Sequence, residues 1–186
     1  AGFDPTLVDD LAPLLGSAQA AVAQVELAQY GGILTSSASV LVVVDQWRLD
    51  GRGEVRAGGT TLDIRLQADE PQWTVTEVRP ARWDRFGVQL SRVASRLLEN
   101  DRVALPFAAV GDIRSGAVDD SVLRALTLLS QTFRLAVSVL RSGHPLRVFG
   151  TDRISNHAEG RAVDIWAIDG RPLIESGGSP TVTEFM

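Results

Sequence analysis

Histidine is scarce in this chain, with two in all, His144 and His157. The second stands in Ser155-Asn156-His157-Ala158-Glu159-Gly160-Arg161-Ala162-Val163-Asp164-Ile165, where an aspartate follows it inside an apolar run. Asp164, between Ala162, Val163, Ile165 and Trp166, holds the place of a strand residue. A carboxylate drawn out of water there costs several kcal/mol unless a cation pairs with it. A metal ion shared with His157 is the simplest such cation. Imidazole nitrogen and carboxylate oxygen both suit zinc, which takes three protein ligands and a water in catalytic sites. These two residues leave the set one short, and His144, Asp152 and Glu159 are the candidates nearby. A calcium site built from Asp152, Glu159, Asp164 and Asp169 is a weaker reading, because a histidine stands at the centre of the motif. The plain alternative is a capping Asp164 beside a surface His157.

The elements that must position these residues are legible around them. Leu135, Val137 and Val139 alternate with Arg134, Ala136 and Ser138, a strand that runs into Ser142-Gly143-His144-Pro145. A loop from Thr151 to Arg161 follows, with Gly160 for a tight turn, then a strand over 162–168 and a turn at Asp169-Gly170. On that strand Ala162, Asp164 and Trp166 share one face. Upstream, Phe86, Leu90, Val93 and Leu97 mark one helix that Asn100-Asp101 ends, with Arg85, Arg92 and Arg96 as its solvated side. Asp119 or Asp120 caps another helix, carrying Val122, Leu126 and Leu129.

The first third reads as a separate unit, residues 1–80, with a boundary at Pro80-Ala81. Asp4 and Pro5 open a helix, and Val8, Leu11, Leu15, Ala18, Val22 and Val25 recur at helical spacing up to a stop at Gly31-Gly32. Pro13 kinks or splits it. Strands follow over 39–49, 60–67 and 73–79, with turns at Asp50-Gly51 and Gly58-Gly59 around a short Glu54–Arg56 segment. A helix with an antiparallel meander is distantly similar to nuclear-transport-factor-like folds.

Composition removes several classes of function. The chain has 186 residues, a net charge of −5 and no cysteine. That charge argues against a nucleic-acid partner, which needs a basic face. Lack of cysteine excludes disulfides, thiolate zinc sites and cysteine nucleophiles. No window is long and apolar enough to span a bilayer, and no charged start followed by an apolar core marks a signal peptide within the chain. Gly177-Gly178-Ser179-Pro180 leads into a helix start that stops at Met186, after about one turn. The sequence therefore reads as interrupted inside an element.

Ser155-x-His157-x-x-Gly160-x-Ala162-x-Asp164, preceded by Ser142-Gly143, resembles the signature of the LAS zinc metallopeptidases, a group that includes D-alanyl-D-alanine carboxypeptidases, phage endolysins and the hedgehog signalling domain. The resemblance covers about residues 85–186 and implies a hedgehog/DD-peptidase-like α+β domain after the N-terminal α+β module. It implies that His157 and Asp164 are zinc ligands, that Ser155 and Gly160 shape the loop, and that Ala162 leaves room beside the metal. The family's third histidine, and the glutamate base of its peptidases, have no match here. Glu175 and Glu184 stand in the wrong context, and the expected third ligand falls beyond Met186. The family's substrate-carboxylate arginine is also displaced, with His144-Pro145 in its place, so that Arg147 or Arg153 is the candidate for that role. His144 is a candidate substrate contact or acid/base helper.

The resemblance implies a zinc hydrolase acting on peptidoglycan peptides, secreted or in the cell envelope. The alternative is a non-catalytic binding module of the same fold, for hedgehog keeps zinc while serving recognition.

Overall fold

The computed structural model describes residues 2–82 and 87–173. Phe86, Arg85 and everything from Ile174 onward, including Glu175, Glu184 and the expected C-terminal helix start, lie outside the described residues. The architecture is α+β, with two mixed sheets and short helices. Among the described residues no helix is long and apolar enough to cross a membrane.

The first sheet has five strands in the order β1-β5-β4-β3-β2. β1 (Gly2–Phe3) runs parallel to β5 (Gln72–Pro80), while β2 (Ala20–Ile33), β3 (Ser37–Leu49), β4 (Val55–Asp69) and β5 form an antiparallel meander. The long N-terminal helix expected up to Val25 is not formed. A 3-10 turn over Pro5–Leu11, capped by Asp4, leads to a single α-helical turn, α1 (Ala12–Leu15). Gly16 then turns the chain with a φ of +55°, a left-handed stop that glycine adopts without a Cβ clash.

From Ala20 the sequence pairs with β3 instead, in register from Ala20 opposite Leu49 to Ile33 opposite Ala38. β3 carries the run Val40-Leu41-Val42-Val43-Val44 and needs a hydrogen-bonding partner on each edge, so tertiary pairing overrides the local helical spacing. Val22 and Val25, expected in a buried stripe, are 67% and 62% exposed. Gly31-Gly32 and Gly58-Gly59 also lie inside strands rather than at turns. A Cβ on Gly32 would stand 2.5 Å from the Phe149 side chain, and one on Gly59 would stand 2.8 Å from Phe107. Both glycines let the rest of the chain lie close against the sheet.

The second sheet has the order β6-β7-β8-β9: β6 (Val103–Ala104), β7 (Leu135–Val139), β8 (Asp164–Ile168) and β9 (Arg171–Pro172). Its helices are α2 (Arg92–Leu98), α3 (Phe107–Arg114) and α4 (Asp120–Leu129). Ser91 caps α2 through Ala94 N at 3.1 Å, and Asp119 caps α4 through Ser121 N at 2.8 Å. α3 falls in a stretch for which the sequence suggested no element. Ala94, Leu97, Ile113, Leu123, Leu126, Leu135, Val137, Leu140 and Ile168 belong to one contiguous apolar core in this half. β7 and β8 run antiparallel through its middle, fixing the two strand ends from which the candidate ligands emerge.

Candidate metal centre

Three side chains converge where the loop after β7 meets the start of β8. One ligand atom each from His144, His157 and Asp164 lies within 4.8 Å of the others. The two imidazoles stack, with centroids 4.0 Å apart and planes 13° from parallel. His157 Nδ1 lies 2.6 Å from the Leu140 carbonyl oxygen. A carbonyl only accepts, so Nδ1 carries the proton, which aims Nε2 at Asp164, with Oδ1 at 3.3 Å. His144 Nδ1 likewise meets the Pro145 carbonyl at 3.0 Å, leaving its Nε2 as the ring's free nitrogen. Hydrogen bonding of the far ring nitrogen to a carbonyl is the arrangement that orients metal-binding histidines.

Support for this arrangement comes from beneath. The Ser155 hydroxyl, itself buried, accepts from His157 N at 3.2 Å and lies 3.5 Å from His144 Nδ1. Gly160 adopts a φ of +68°, and a Cβ there would collide with the Ala117 carbonyl. Its own carbonyl accepts from Asp119 N at 2.9 Å, tying the motif's turn to the cap of α4. Asp112, on α3 and fully buried, accepts from Arg141 N at 2.9 Å and Ser142 N at 2.8 Å. It thereby fixes the segment that carries both the Leu140 carbonyl and His144. Sequence reasoning missed Asp112. The signal was present, a carboxylate between Gly111 and Ile113 in an apolar helix, the same anomaly that singles out Asp164.

The first sheet closes the other side. Ser142 Oγ donates to the Arg82 carbonyl at 3.1 Å. Gly143 has a φ of +85°, and a Cβ on it would stand 2.6 Å from Thr61 Cβ on β4. Asp63, 2% exposed on the same strand, accepts from Ser39 Oγ at 2.6 Å and from Arg65 Nε at 2.9 Å. The Arg65 guanidinium lies 5.2 Å over the Phe149 ring.

Electrostatics separates the two histidines. Burial opposes charge on His157, but the Asp164 hydrogen bond and charge, with the Leu140 carbonyl, outweigh it and raise its pKa above 6.5. Burial, then the charge of His157, lowers that of His144. A neutral His157 would set the lone pair of Nε2 against a carboxylate at 3.3 Å, so a proton or a metal ion belongs between them. A tetrahedral ion with bonds of ~2.0–2.1 Å keeps two donors roughly 3.3–3.4 Å apart, which is the spacing observed. The residues fit zinc by donor type and tautomer, and the His157–Asp164 pair fits it by spacing.

Asp164 differs from its sequence-based picture in one respect: its side chain is 37% exposed rather than sealed in a strand. It heads β8 at the rim of a cleft, where a metal would remain open to a further ligand. The other candidates lie elsewhere. Arg147 is exposed and donates to the Asp152 carbonyl at 2.7 Å and to its Oδ1 at 3.3 Å. Arg153 is exposed on the same loop, its backbone N at 3.3 Å from Thr151 Oγ1. Glu159 pairs with Arg161 at 3.9 Å, and neither it nor Asp152 joins the donor group. Comparison of the chain with protein-family models, with curated proteins and with solved structures finds no match in any of the three.

Proposed function

We propose that the chain carries the metal centre of a zinc-dependent hydrolase acting on peptidoglycan peptides, in the cell envelope or outside the cell. One observation carries the reading: two tautomer-fixed imidazoles and a carboxylate bring one ligand atom each within 4.8 Å of the others, with the His157–Asp164 pair at 3.3 Å. The motif's resemblance to the LAS peptidases supplies the substrate class. His144, His157 and Asp164 would hold the ion. Zinc in such a site supplies a Lewis acid for a scissile carbonyl and a water made acidic near neutral pH. The chain's own contribution is to engage the Nδ1 of both rings, through Leu140, Pro145 and Ser155, so that Nε2 is the nitrogen each can offer, and to leave the Asp164 side of the group open to a cleft.

Zinc titration calorimetry tests this reading. One zinc per chain is expected, with affinity at least about a hundredfold lower in Asp164→Asn, which keeps the shape and removes the charge. His157→Ala abolishes zinc binding but would spare a calcium site. Chelator-sensitive release of D-alanine or a cross-bridge product from muropeptides completes the case, and zinc-loaded protein that cleaves none of them overturns it. The non-catalytic envelope-binding module has one observation in its favour: among the described residues no second carboxylate joins the donor group to serve as base. Tight zinc binding and peptide binding without turnover select that reading.

A further inference from the structure

Asp164 opens into a cleft of about 500 Å3 that the zinc motif does not build alone. Val163, Asp164, Ile165 and Leu173 form one wall, and Gln29 and Tyr30 of the first sheet form the other. The cleft is a shallow depression, wide open to solvent.

The two walls share a feature that bears on the occupant. β2 is an edge strand of its sheet, with β3 on one side only. Among the described residues β9 pairs with β8 only at Ala167 and Ile168, so that none of them pairs with the outer edge of Asp164 and Ile165. Unpaired strand edges recognise extended main chain, because they offer N–H and C=O groups at the spacing of another strand. Side chains then set the selectivity. Val163, Ile165 and Leu173 are apolar, while Tyr30 is 72% exposed and presents an aromatic face. The pairing of β2 with β3 is irregular between Tyr30 and Gly32, and such bulges re-aim side chains beside binding sites.

We propose that Gln29 and Tyr30 form the specificity wall of this cleft, where Tyr30 and the apolar side chains of Val163, Ile165 and Leu173 clasp a small apolar side chain of an extended peptide presented to the His144–His157–Asp164 group. The inference rests on the hydrolase reading and deepens it, giving the N-terminal sheet a share in choosing the substrate.

The chain has a single tyrosine, so incorporation of 3-fluorotyrosine yields one 19F resonance at the proposed wall. The whole protein, with and without zinc, is titrated with an acetylated tripeptide ending in D-alanyl-D-alanine and with its D-glutamate-ended counterpart. The D-alanine peptide is expected to move the resonance. Tyr30→Ala should weaken its binding about tenfold, the worth of one aromatic contact, and erase the preference over the D-glutamate peptide. Tyr30→Phe should keep both, and zinc affinity should stay within about twofold in each variant, as Tyr30 is no ligand. A peptide that binds with the resonance unmoved and equal affinity in Tyr30→Ala overturns the inference and leaves the hydrolase reading standing. Zinc bound without any peptide binding also overturns it. Failure of the wild-type chain to bind zinc brings down the hydrolase reading, and the inference with it.

Discussion

The contiguous apolar core lies entirely in the second half of the chain, running from Ala94 to Ile168. The first sheet is built differently. Its buried apolar positions come mainly from β3, at Ala38 and Leu41–Val43, and alongside them it buries Ser39, Thr60, Thr61 and Asp63. Both halves bury polar side chains, Asp112, Ser138 and Ser142 among those in the second, but among the described residues only the second encloses a contiguous apolar cluster of its own, and the first turns a partly polar face toward it. The candidate metal centre draws on this difference, for its ligands hang from the apolar half and its loop is braced by the polar one.

The sharpest test of that asymmetry is Asp112→Ala. It removes a buried carboxylate from two main-chain N–H groups, and orphaned donors cost about 1–3 kcal/mol each. A loss of about 3–5 kcal/mol in urea unfolding is expected, with zinc affinity down some tenfold to a hundredfold as Leu140 and His144 lose their anchor. Asp63→Ala should cost less, about 2–3 kcal/mol, because Arg65 keeps access to water once its partner is gone. Hydrogen exchange is expected to show the protection lost in β3 and β4 and retained at Leu126 and Leu135. Equal loss in both regions would mean that the halves unfold as one and would break the comparison.

The mildest effect is one of pH. Asp164 raises the pKa of His157 above 6.5, and zinc must displace that proton. Zinc affinity should therefore fall as pH drops through the raised value, by about tenfold per unit below it. The sign reverses for the metal-free chain. There the protonated pair contributes stability that is complete below about 6.5 and disappears as pH rises through the folded pKa. His144, whose pKa burial lowers, works in the opposite sense, so the His157 contribution is read in metal-free His144→Ala, whose thermal melts across pH 5–8 should show stability falling as pH rises.

Legibility in the sequence followed the range of the forces involved. Asp119 as a cap and β7 by alternation are local signals found in the structure where the residues suggested, and His157 stands beside Asp164, whose side chain is 37% exposed rather than drawn out of water. The segment over 20–33 was misread because its apolar spacing satisfies a helix, and only the demand of β3 for a second edge partner makes it a strand. His144 drew attention as a loop residue. Its place in the donor group depends on Asp112 and Thr61, which reach it from α3 and β4 and stand too far along the chain for the residues around His144 to reveal them. Gln29 and Tyr30 carried no signal at all, since they matter only through the cleft that two distant strand edges enclose.

The contact between Gly143 and Thr61 reaches beyond this molecule. No side chain larger than hydrogen fits at 143: a Cβ would stand 2.6 Å from the Thr61 side chain and 2.9 Å from the Thr61 carbonyl oxygen, and the φ of +85° strains any L residue there. Because one of those contacts is to main chain, no change at 61 relieves it. In descendants of this chain that keep the site, glycine is expected to stay fixed at 143 while 61 varies among small residues.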